Sequence, residues 1–353
     1  MEKVMAPGVT KRRRGQGVSV TDVARTAGVS IATVSRAINQ PEVVSEETRK
    51  RVNAAMKSLN YHLNPAASAL RRGHGNVITV LVASLGQPWY TKLMRALKSE
   101  IEARGFSMMQ IDLQHSSEAL QHALLPNNQH LPTGIILATG DTLDTPEVRE
   151  AIQLAHDSLP LTVIGQHVMG ASWPTVQFTD ELWSYRATLE LLAFGGPVAF
   201  LGLLEGSYLA AERLRGYERA HQEAGLDAAE WIWPIGNRGY DAGQAEVQSR
   251  IAMNEIPRSI FAINDELALG ASRALIAAGL RIPEDVSLMG YGNTEFLEYV
   301  TPSLSSVDGS ATDAASVAVS ALWAQLEGKD FSELTVLDRQ IVHRESTAIS
   351  SPE

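Results

Sequence analysis

Short apolar runs that alternate with helical segments constrain the fold of this chain most. From residue 76 onward, seven runs of five to eight residues are mostly apolar, among them VITVLVAS (77–84), GIILA (134–138) and VAFLGL (198–203). Intervening stretches such as 181–194 and 265–278 have helical periodicity. Such runs are typical of strands buried on both faces of a parallel sheet. The pattern therefore predicts an α/β body, and roughly ten strands favour two doubly wound sheets with a ligand between them.

Composition excludes several kinds of protein. The 353 residues contain no cysteine, which excludes disulfides, Cys-ligated zinc and thiol nucleophiles and fits a reducing compartment. No segment approaches the ~18 consecutive apolar residues of a membrane span. The first residues, MEKVMAPGVTKRRRGQG, lack the apolar centre of a signal peptide. We therefore expect a cytoplasmic protein without a membrane partner.

Charge is distributed unevenly along the chain. Residues 1–75 contain 13 Lys and Arg against 5 Asp and Glu, whereas the remainder contains 17 against 35. A small basic module is what phosphate contacts with DNA require, and an acidic remainder is repelled by DNA. An ordinary solvated basic face explains the charge alone equally well.

Three short helices are predicted between residues 19 and 62. Ser19 is placed to cap the first helix, and Gly28 ends it. Gly28-Val29-Ser30 then forms a tight turn into a second helix, Ile31 to Asn39, with Val34 and Ile38 facing inward. A third helix follows Ser45. Its basic residues Arg49, Lys50, Arg51 and Lys57 fit a DNA-facing or a merely solvated surface equally well.

The first two helices form a helix-turn-helix, whose second helix is expected to enter the major groove of DNA. We predict that Arg36 reads guanine and that Ile31 and Ala32 contact thymine methyl groups. The predicted DNA contacts in this helix are Ser30, Ile31, Ala32, Thr33, Ser35, Arg36 and Asn39. The run Lys11 to Arg14 before the first helix is either a DNA-binding arm or a solubilising tail.

The stretches TDVARTAGVSIATVSRAIN and VSEETRKRVNAAMKSLNY resemble the DNA-binding domain of the lactose-repressor (LacI) family. The family continues into a hinge helix whose leucine wedges into the minor groove of the operator. Tyr61, Asn64, Ala67 and Leu70 match that hinge pattern, and the resemblance implies DNA contacts by the last three. Leu63 stands where the family has proline, with Pro65 two residues later, and Ser68 stands where it has arginine. These departures put the hinge's phosphate contacts and helix start in doubt.

The remainder of the chain resembles the type I periplasmic-binding-protein fold that this family uses as a sensor. The matching stretches are FAINDELALGASRALIAAGLRIPEDVSLMGYGN, TPSLSSV and HREST. The resemblance implies a basic arm (1–17), a DNA-binding domain (18–62), a hinge (63–75) and an effector-binding and dimerisation domain (76–353). Three chain crossings are implied between an N-lobe, about 76–178 and 308–334, and a C-lobe, about 179–307 and 335–353.

The resemblance also implies which residues hold the effector. Arg213 matches the family's cleft arginine, and Asn264 and Asp265 match an Asn-Asp pair, although Asp265 serves equally well as a helix cap. Trp89 and Tyr90 match wall residues, with core packing as the alternative. The expected effector contacts are Trp89, Tyr90, Gln166, Arg213, Arg238, Asn264, Asp265 and Asn293.

Two features favour an acidic effector. Gly292 stands where many sugar-binding relatives have an aspartate, and Arg238 falls where some have an aromatic platform. Paired guanidinium groups from Arg213 and Arg238 suit a carboxylate. Gly290-Tyr291-Gly292-Asn293 resembles the gluconate-repressor branch of the family. We therefore expect a sugar acid such as gluconate, with a neutral sugar or a nucleoside-type metabolite as the alternative effector.

The sequence contains no convincing catalytic or metal-binding motif. G-x-G-x-x-G after a strand, a Walker loop, G-x-S-x-G and H-E-x-x-H are all absent. His115, His122 and His130 have spacings that match no zinc site, and we interpret them as surface residues. We expect no enzyme, cofactor or metal, but a homodimeric regulator that binds double-stranded operator DNA. The alternatives are a solute-binding protein and a sensor whose DNA-binding head is degenerate.

Overall fold

The computed structural model describes residues 20–39, 43–59, 76–125 and 132–347, without the side chains of residues 38 and 39. It divides the chain into two units, residues 1–73 and 74–353, called here the head and the body. The arm, Ser19 and the hinge residues Leu63, Asn64, Ala67, Ser68 and Leu70 lie outside the described residues.

The head contains three helices: α1 (Val20–Ala27), α2 (Ile31–Asn39) and α3 (Glu46–Ser58). Gly28 ends α1 with a φ of +65°, a conformation that a side chain disfavours. Val23, Val34 and Val52, one from each helix, are fully buried together. Ala37 is also buried. The predicted helix-turn-helix is therefore present, closed by a third helix.

The first lobe of the body, the N-lobe, is a six-stranded parallel sheet. Its strands are β1 (Val77–Val82), β2 (Ser107–Asp112), β3 (Gly134–Ala138), β4 (Leu161–Ile164), β5 (Thr175–Phe178) and β11 (Leu334–Leu337). Their order is β11-β5-β4-β3-β1-β2. The helices of this lobe are α4 (Pro88–Glu102), α5 (Ser117–Leu124), α6 (Pro146–Ser158) and α11 (Ala311–Leu326). One apolar core includes residues of α4 and α11 and another includes residues of α5 and α6, so both faces of the sheet are covered.

The second lobe, the C-lobe, repeats this architecture. Its strands are β6 (Val198–Leu203), β7 (Ile232–Pro234), β8 (Ser259–Ala262), β9 (Ser287–Gly292), β10 (Ser305–Asp308) and β12 (Gln340–Val342). Their order is β12-β10-β9-β8-β6-β7, and only β12 is antiparallel to its neighbour. The helices are α7 (Asp180–Leu192), α8 (Tyr208–Glu223), α9 (Tyr240–Met253) and α10 (Asp265–Ala277), with 3-10 turns at 229–231, 295–298 and 345–347.

The chain passes between the lobes three times, after β5, after β10 and after β11. The last crossing lies at residues 338–339, later than the predicted change of lobe at 334–335. The reason is β11, an edge strand of the N-lobe sheet in which alternate side chains are exposed. Such a short, half-exposed strand is hard to distinguish from a loop in the sequence.

Candidate functional site

The outward face of α2 is the candidate DNA-reading surface. Ala32, Ser35 and Arg36 are exposed, and the Ile31 side chain is 45% exposed although it is apolar. Thr33 is half-buried. Within the described residues, Arg36 makes no ion pair. The Asn39 side chain lies outside the described part of the chain.

Ser30 has a structural role that accompanies its predicted DNA contact. Its hydroxyl accepts a hydrogen bond from the backbone N–H of Thr33 at 3.1 Å and lies 2.8 Å from the Thr33 hydroxyl. This is the geometry of an N-cap, which satisfies an otherwise unpaired amide in the first turn of a helix. Ser30 therefore fixes the start of α2.

A cavity lies between the two lobes of the body, at the carboxyl ends of their strands. Five predicted effector residues line it: Trp89, Tyr90, Arg213, Arg238 and Asn264. They come from segments that follow β1, β6, β7 and β8. Ligands of open α/β sheets bind at this edge of the strands. The cavity is thus the candidate effector site.

Asp180 joins two arginines at the cavity wall. Its carboxylate accepts a hydrogen bond from Arg213 Nε at 2.8 Å and another from an Nη of Arg339 at 3.0 Å. Burial raises the pKa of Asp180, but the charges of Arg339 and Arg213 outweigh it, so the net pKa lies below its usual value. Arg213 also donates to the carbonyl oxygen of Ile263 and stacks 3.6 Å from the ring centre of Tyr291.

A second charged cluster links the lobes. Asp141 of the N-lobe lies 3.1 Å from an Nη of Arg238 in the C-lobe and 2.9 Å from Nδ1 of His115. Nε2 of His115 lies 3.0 Å from the side-chain oxygen of Gln87. Burial raises the pKa of Asp141, but hydrogen bonding to His115 and the charges of His115 and Arg238 bring the net pKa below its ordinary value. His115, predicted as a surface residue, is partly exposed and lines the cavity.

Backbone contacts also hold the lobes together beside this cluster. The N–H of Leu209 donates to the carbonyl of Gly140 at 3.1 Å, and the N–H of Thr142 donates to that of Gly206 at 3.0 Å. The Tyr90 hydroxyl accepts from the N–H of Gly140 at 2.9 Å. Tyr90 thereby supports the N-lobe loop that meets the C-lobe.

Both polar atoms of the Asn264 side-chain amide form hydrogen bonds beside the cavity. Its oxygen accepts from the N–H of Leu267 at 2.8 Å and caps α10, and its nitrogen donates to the carbonyl of Arg238 at 3.0 Å. The cap of this helix is thus Asn264, and Asp265 does not have that role. Asn264 also fixes the loop that carries the Arg238 side chain.

Three predicted effector residues do not line the cavity. Gln166 accepts from the N–H of Leu143 at 2.6 Å and supports a loop of the N-lobe. Asp265 is buried and accepts from the Ser306 hydroxyl and the Thr294 N–H, both at 2.7 Å. Asn293 accepts from an Nη of Arg344 at 2.8 Å beside a different surface depression. Their hydrogen-bonding groups are used within the protein, which a residue pattern does not reveal.

Glu266 and Arg339 line the cavity but were not predicted. Burial raises the pKa of Glu266 to about 7. The only signal for Glu266 was its position directly after the Asn-Asp pair. Arg339 belongs to the last lobe crossing, and no motif marked it. Within the described ranges, no group of three or more His, Asp or Glu side chains is arranged to hold a metal ion, and no helix is long and apolar enough to cross a membrane.

Comparison with known proteins gives the same architecture. A model of the lacI family of bacterial regulatory proteins matches residues 19–64, and a model of the periplasmic binding protein-like domain matches residues 197–347. The HTH-type transcriptional regulator DegA of Bacillus subtilis is 30% identical over 293 residues, which cover 82% of this chain and 86% of that protein. The ribose operon repressor of Haemophilus influenzae is 28% identical over 333 residues, covering 93% and 98% of the two chains.

A solved structure extends the likeness to the whole chain. The lac repressor dimer bound to operator and the anti-inducer ONPF matches with a TM-score of 0.83 at 26% identity, covering 95% of this chain and all of that one. A helix-turn-helix head followed by a two-lobed α/β body defines a class of DNA-binding transcription regulators. Within that class, the chain belongs to the lacI family, which confirms the predicted family and fold.

Proposed function

We propose that the protein is a sequence-specific repressor whose affinity for its operator is set by a small carbohydrate acid, such as gluconate, bound between the lobes. The observation that carries this proposal is the presence of three guanidinium groups, those of Arg213, Arg238 and Arg339, around one cavity. A planar guanidinium pairs with a carboxylate through two parallel hydrogen bonds.

The charges around the cavity favour an anion. The carboxylates of Asp180 and Asp141 offset two of the three arginines. Burial raises the pKa of the Glu266 carboxyl in the cavity wall to about 7, so this acid offsets positive charge less than an ordinary glutamate does. We therefore expect an anionic ligand to bind beside the three guanidinium groups.

Hydroxyl groups on the ligand also find partners in this cavity. Gln87 lines one wall with a side-chain amide whose oxygen contacts His115 and whose nitrogen remains a donor, and Trp89 and Phe178 present aromatic rings. Polar groups fix the hydroxyls, and aromatic rings pack against the carbon skeleton. A chain of hydroxyl-bearing carbons that ends in a carboxylate combines the two requirements.

Binding would change the operator affinity by changing how the lobes close. Allosteric couplings are typically about 1–3 kcal/mol, or roughly 5- to 150-fold in affinity. The hinge expected at residues 63–75 would transmit this change to the head. Because palindromic half-sites require two-fold symmetry, we propose a homodimer that acts in the cytoplasm.

A neutral sugar is the second candidate effector, and it is favoured by the ion pairs. Arg213 is already bound to Asp180, and Arg238 to Asp141. Guanidinium–carboxylate pairs of this kind also bind hydroxyls through their remaining donors and acceptors. The similarity to a ribose operon repressor agrees with this alternative.

Operator selection followed by titration tests the proposal. The full chain would select its operator from random duplex DNA, and binding would be measured at several salt concentrations with gluconate, glucose or ribose. A salt-sensitive, sequence-selective complex that gluconate alters, and the sugars do not, is the expected result. A response to glucose or ribose alone would favour the neutral effector. Failure to select any sequence would contradict the assignment as a repressor.

A further inference from the structure

Arg339 lies where the three lobe crossings meet. Its guanidinium donates to Asp180, directly after the first crossing. A Cβ atom at Gly309, in the second crossing, would lie 2.6 Å from Nε1 of Trp89 and 2.7 Å from Nη1 of Arg339, so the backbone there closely approaches both side chains. In the third crossing, the neighbouring Asp338 accepts from the Thr179 hydroxyl at 2.9 Å. The Arg339 side chain, itself in the third crossing, thus lies beside the other two crossings.

Two polar groups beside this junction are buried without a partner. The Arg339 side chain is 2% exposed, and its Nε–H has no acceptor among the described residues. The Tyr291 hydroxyl is likewise buried and forms no hydrogen bond of normal geometry within the described residues, although burial and the nearby carboxylate of Asp180 raise its pKa. Both residues line the effector cavity, and the Arg339 guanidinium carbon lies 4.9 Å from the centre of the Tyr291 ring.

An unpaired buried donor destabilises a folded protein. Native structures therefore rarely keep such a donor unless another group completes it. One Nη of Arg339 does have a partner, because it binds Asp180. The Arg339 Nε–H and the Tyr291 hydroxyl, which belong to two residues of the cavity lining, thus retain capacity to donate to an incoming acceptor.

We propose that Arg339 and Tyr291 form the subsite for the carboxylate of the effector, with the Nε–H and the phenolic O–H donating to its oxygens. This assignment rests on the proposed carbohydrate-acid function and deepens it. It leaves Arg238 with Asp141 as a link between the lobes. Because the carboxylate would touch the third crossing directly, occupancy of the site and the angle between the lobes become coupled.

Two variants separate this subsite from a structural role. Tyr291→Phe removes only the hydroxyl and keeps the ring on which Arg213 stacks. Arg339→Lys keeps the charge beside Asp180 but removes Nε. A matched control is the Arg219–Tyr185 pair on the outer face of the C-lobe, where the guanidinium lies 4.1 Å from the ring centre. Arg219→Lys and Tyr185→Phe make the same chemical changes outside the cavity.

Titration calorimetry of the full chain with gluconate and with its uncharged counterpart glucitol provides the test. We expect Tyr291→Phe and Arg339→Lys to weaken gluconate binding about tenfold each, as loss of a hydrogen bond to a charged group does. Glucitol should bind the wild type more weakly than gluconate, and the cavity variants should not weaken glucitol binding further. The two control variants should bind gluconate as the wild type does.

A wrong subsite and a wrong effector class would give different results. Unchanged gluconate affinity in Tyr291→Phe and Arg339→Lys overturns the subsite and leaves the proposed effector class intact. A wild type that binds neutral sugars but no gluconate overturns both. If Arg339→Lys does not fold, Tyr291→Phe decides, and its unfolding temperature and operator affinity establish that it is native.

Discussion

The candidate DNA-reading face of the head and the candidate effector cavity of the body are built in opposite ways. Arg36 and Ile31 of the head are exposed, and within the described residues Arg36 has no ionic partner. In the cavity, Arg213, Arg238 and Arg339 are each held by a carboxylate of the same chain. The head presents side chains that the fold does not need, whereas the cavity uses side chains on which the fold depends.

This difference follows from burial. A charge in water is stable without a partner, whereas a buried charge must be paired to be tolerated. Substitutions on the exposed face of α2 should therefore change DNA binding without changing stability. Substitutions of the paired charges in the cavity should change both effector binding and stability, and four variants test this contrast.

Asp180→Asn should have the largest effect. It leaves Arg213 and Arg339 buried without their shared carboxylate, and breaking a buried pair destabilises by about 3–5 kcal/mol. Urea unfolding followed by tryptophan fluorescence measures the body specifically, since all six tryptophans lie there. Asp144→Asn breaks an exposed pair with Arg149 and should change the free energy of unfolding by less than about 1 kcal/mol. Equal losses in both variants would refute the contrast.

Glu266→Gln should have a pH-dependent effect. Because burial raises the pKa of Glu266 from 4.5 to about 7, the folded protein holds this proton more tightly than the unfolded chain. Its contribution to stability is complete below pH 4.5 and is lost as the pH rises through 7. The stability of the variant relative to the wild type should therefore grow by up to about 3 kcal/mol between pH 5 and 8. Exposed Glu218→Gln is the control, and a pH-independent difference for Glu266→Gln would contradict the expectation.

Arg36→Lys should affect only DNA recognition. Lysine keeps the positive charge but loses the two-pronged guanidinium, and a bidentate base contact contributes about 1–3 kcal/mol of discrimination. Affinity for the selected operator should fall, while affinity for unrelated DNA, gluconate binding and the unfolding of the body stay unchanged. Competition binding with specific and random duplexes measures this. An equal loss on both duplexes would mean that Arg36 contacts phosphate.

Ser30→Ala should have the smallest effect. Ser30 combines the two behaviours, because it is a predicted DNA contact and also caps α2. Loss of the N-cap destabilises a helix by about 1 kcal/mol. Hydrogen exchange of peptides from residues 20–39 in the full chain should become faster. Ser30→Asn retains a capping oxygen and should restore protection. If Ser30→Asn is protected but binds the operator poorly, the hydroxyl has a separate role at the DNA.

The sequence predicted much of the fold because apolar periodicity is a local property. β3 and β6 have the predicted bounds, and α10 ends within one residue of the predicted helix 265–278. The edge strands β7, β11 and β12 were missed because they are only three or four residues long. Short strands at the edge of a sheet carry little periodic signal.

The candidate site was predicted only in part. The roles of several of its residues depend on partners that are distant in the sequence. Arg213 and Asn264, which line the cavity, were predicted because they match the family's cleft arginine and Asn-Asp pair. Arg339 and His115 were missed because their roles depend on Asp180 and Asp141, which are far away in the sequence. Asp265 was misplaced because its hydrogen bonds to Ser306 and Thr294 exist only in the folded C-lobe.

The three lobe crossings also determine when the body is able to fold during synthesis. Each sheet takes an edge strand, β11 or β12, from residues 334–342, after almost the whole chain has been made. Neither lobe is complete until its edge strand, β11 or β12, has been synthesised. Unpaired strand edges favour aggregation until they are covered. A chain released before residue 342 would therefore expose an open edge on its second sheet, and release before residue 334 would leave both sheets open.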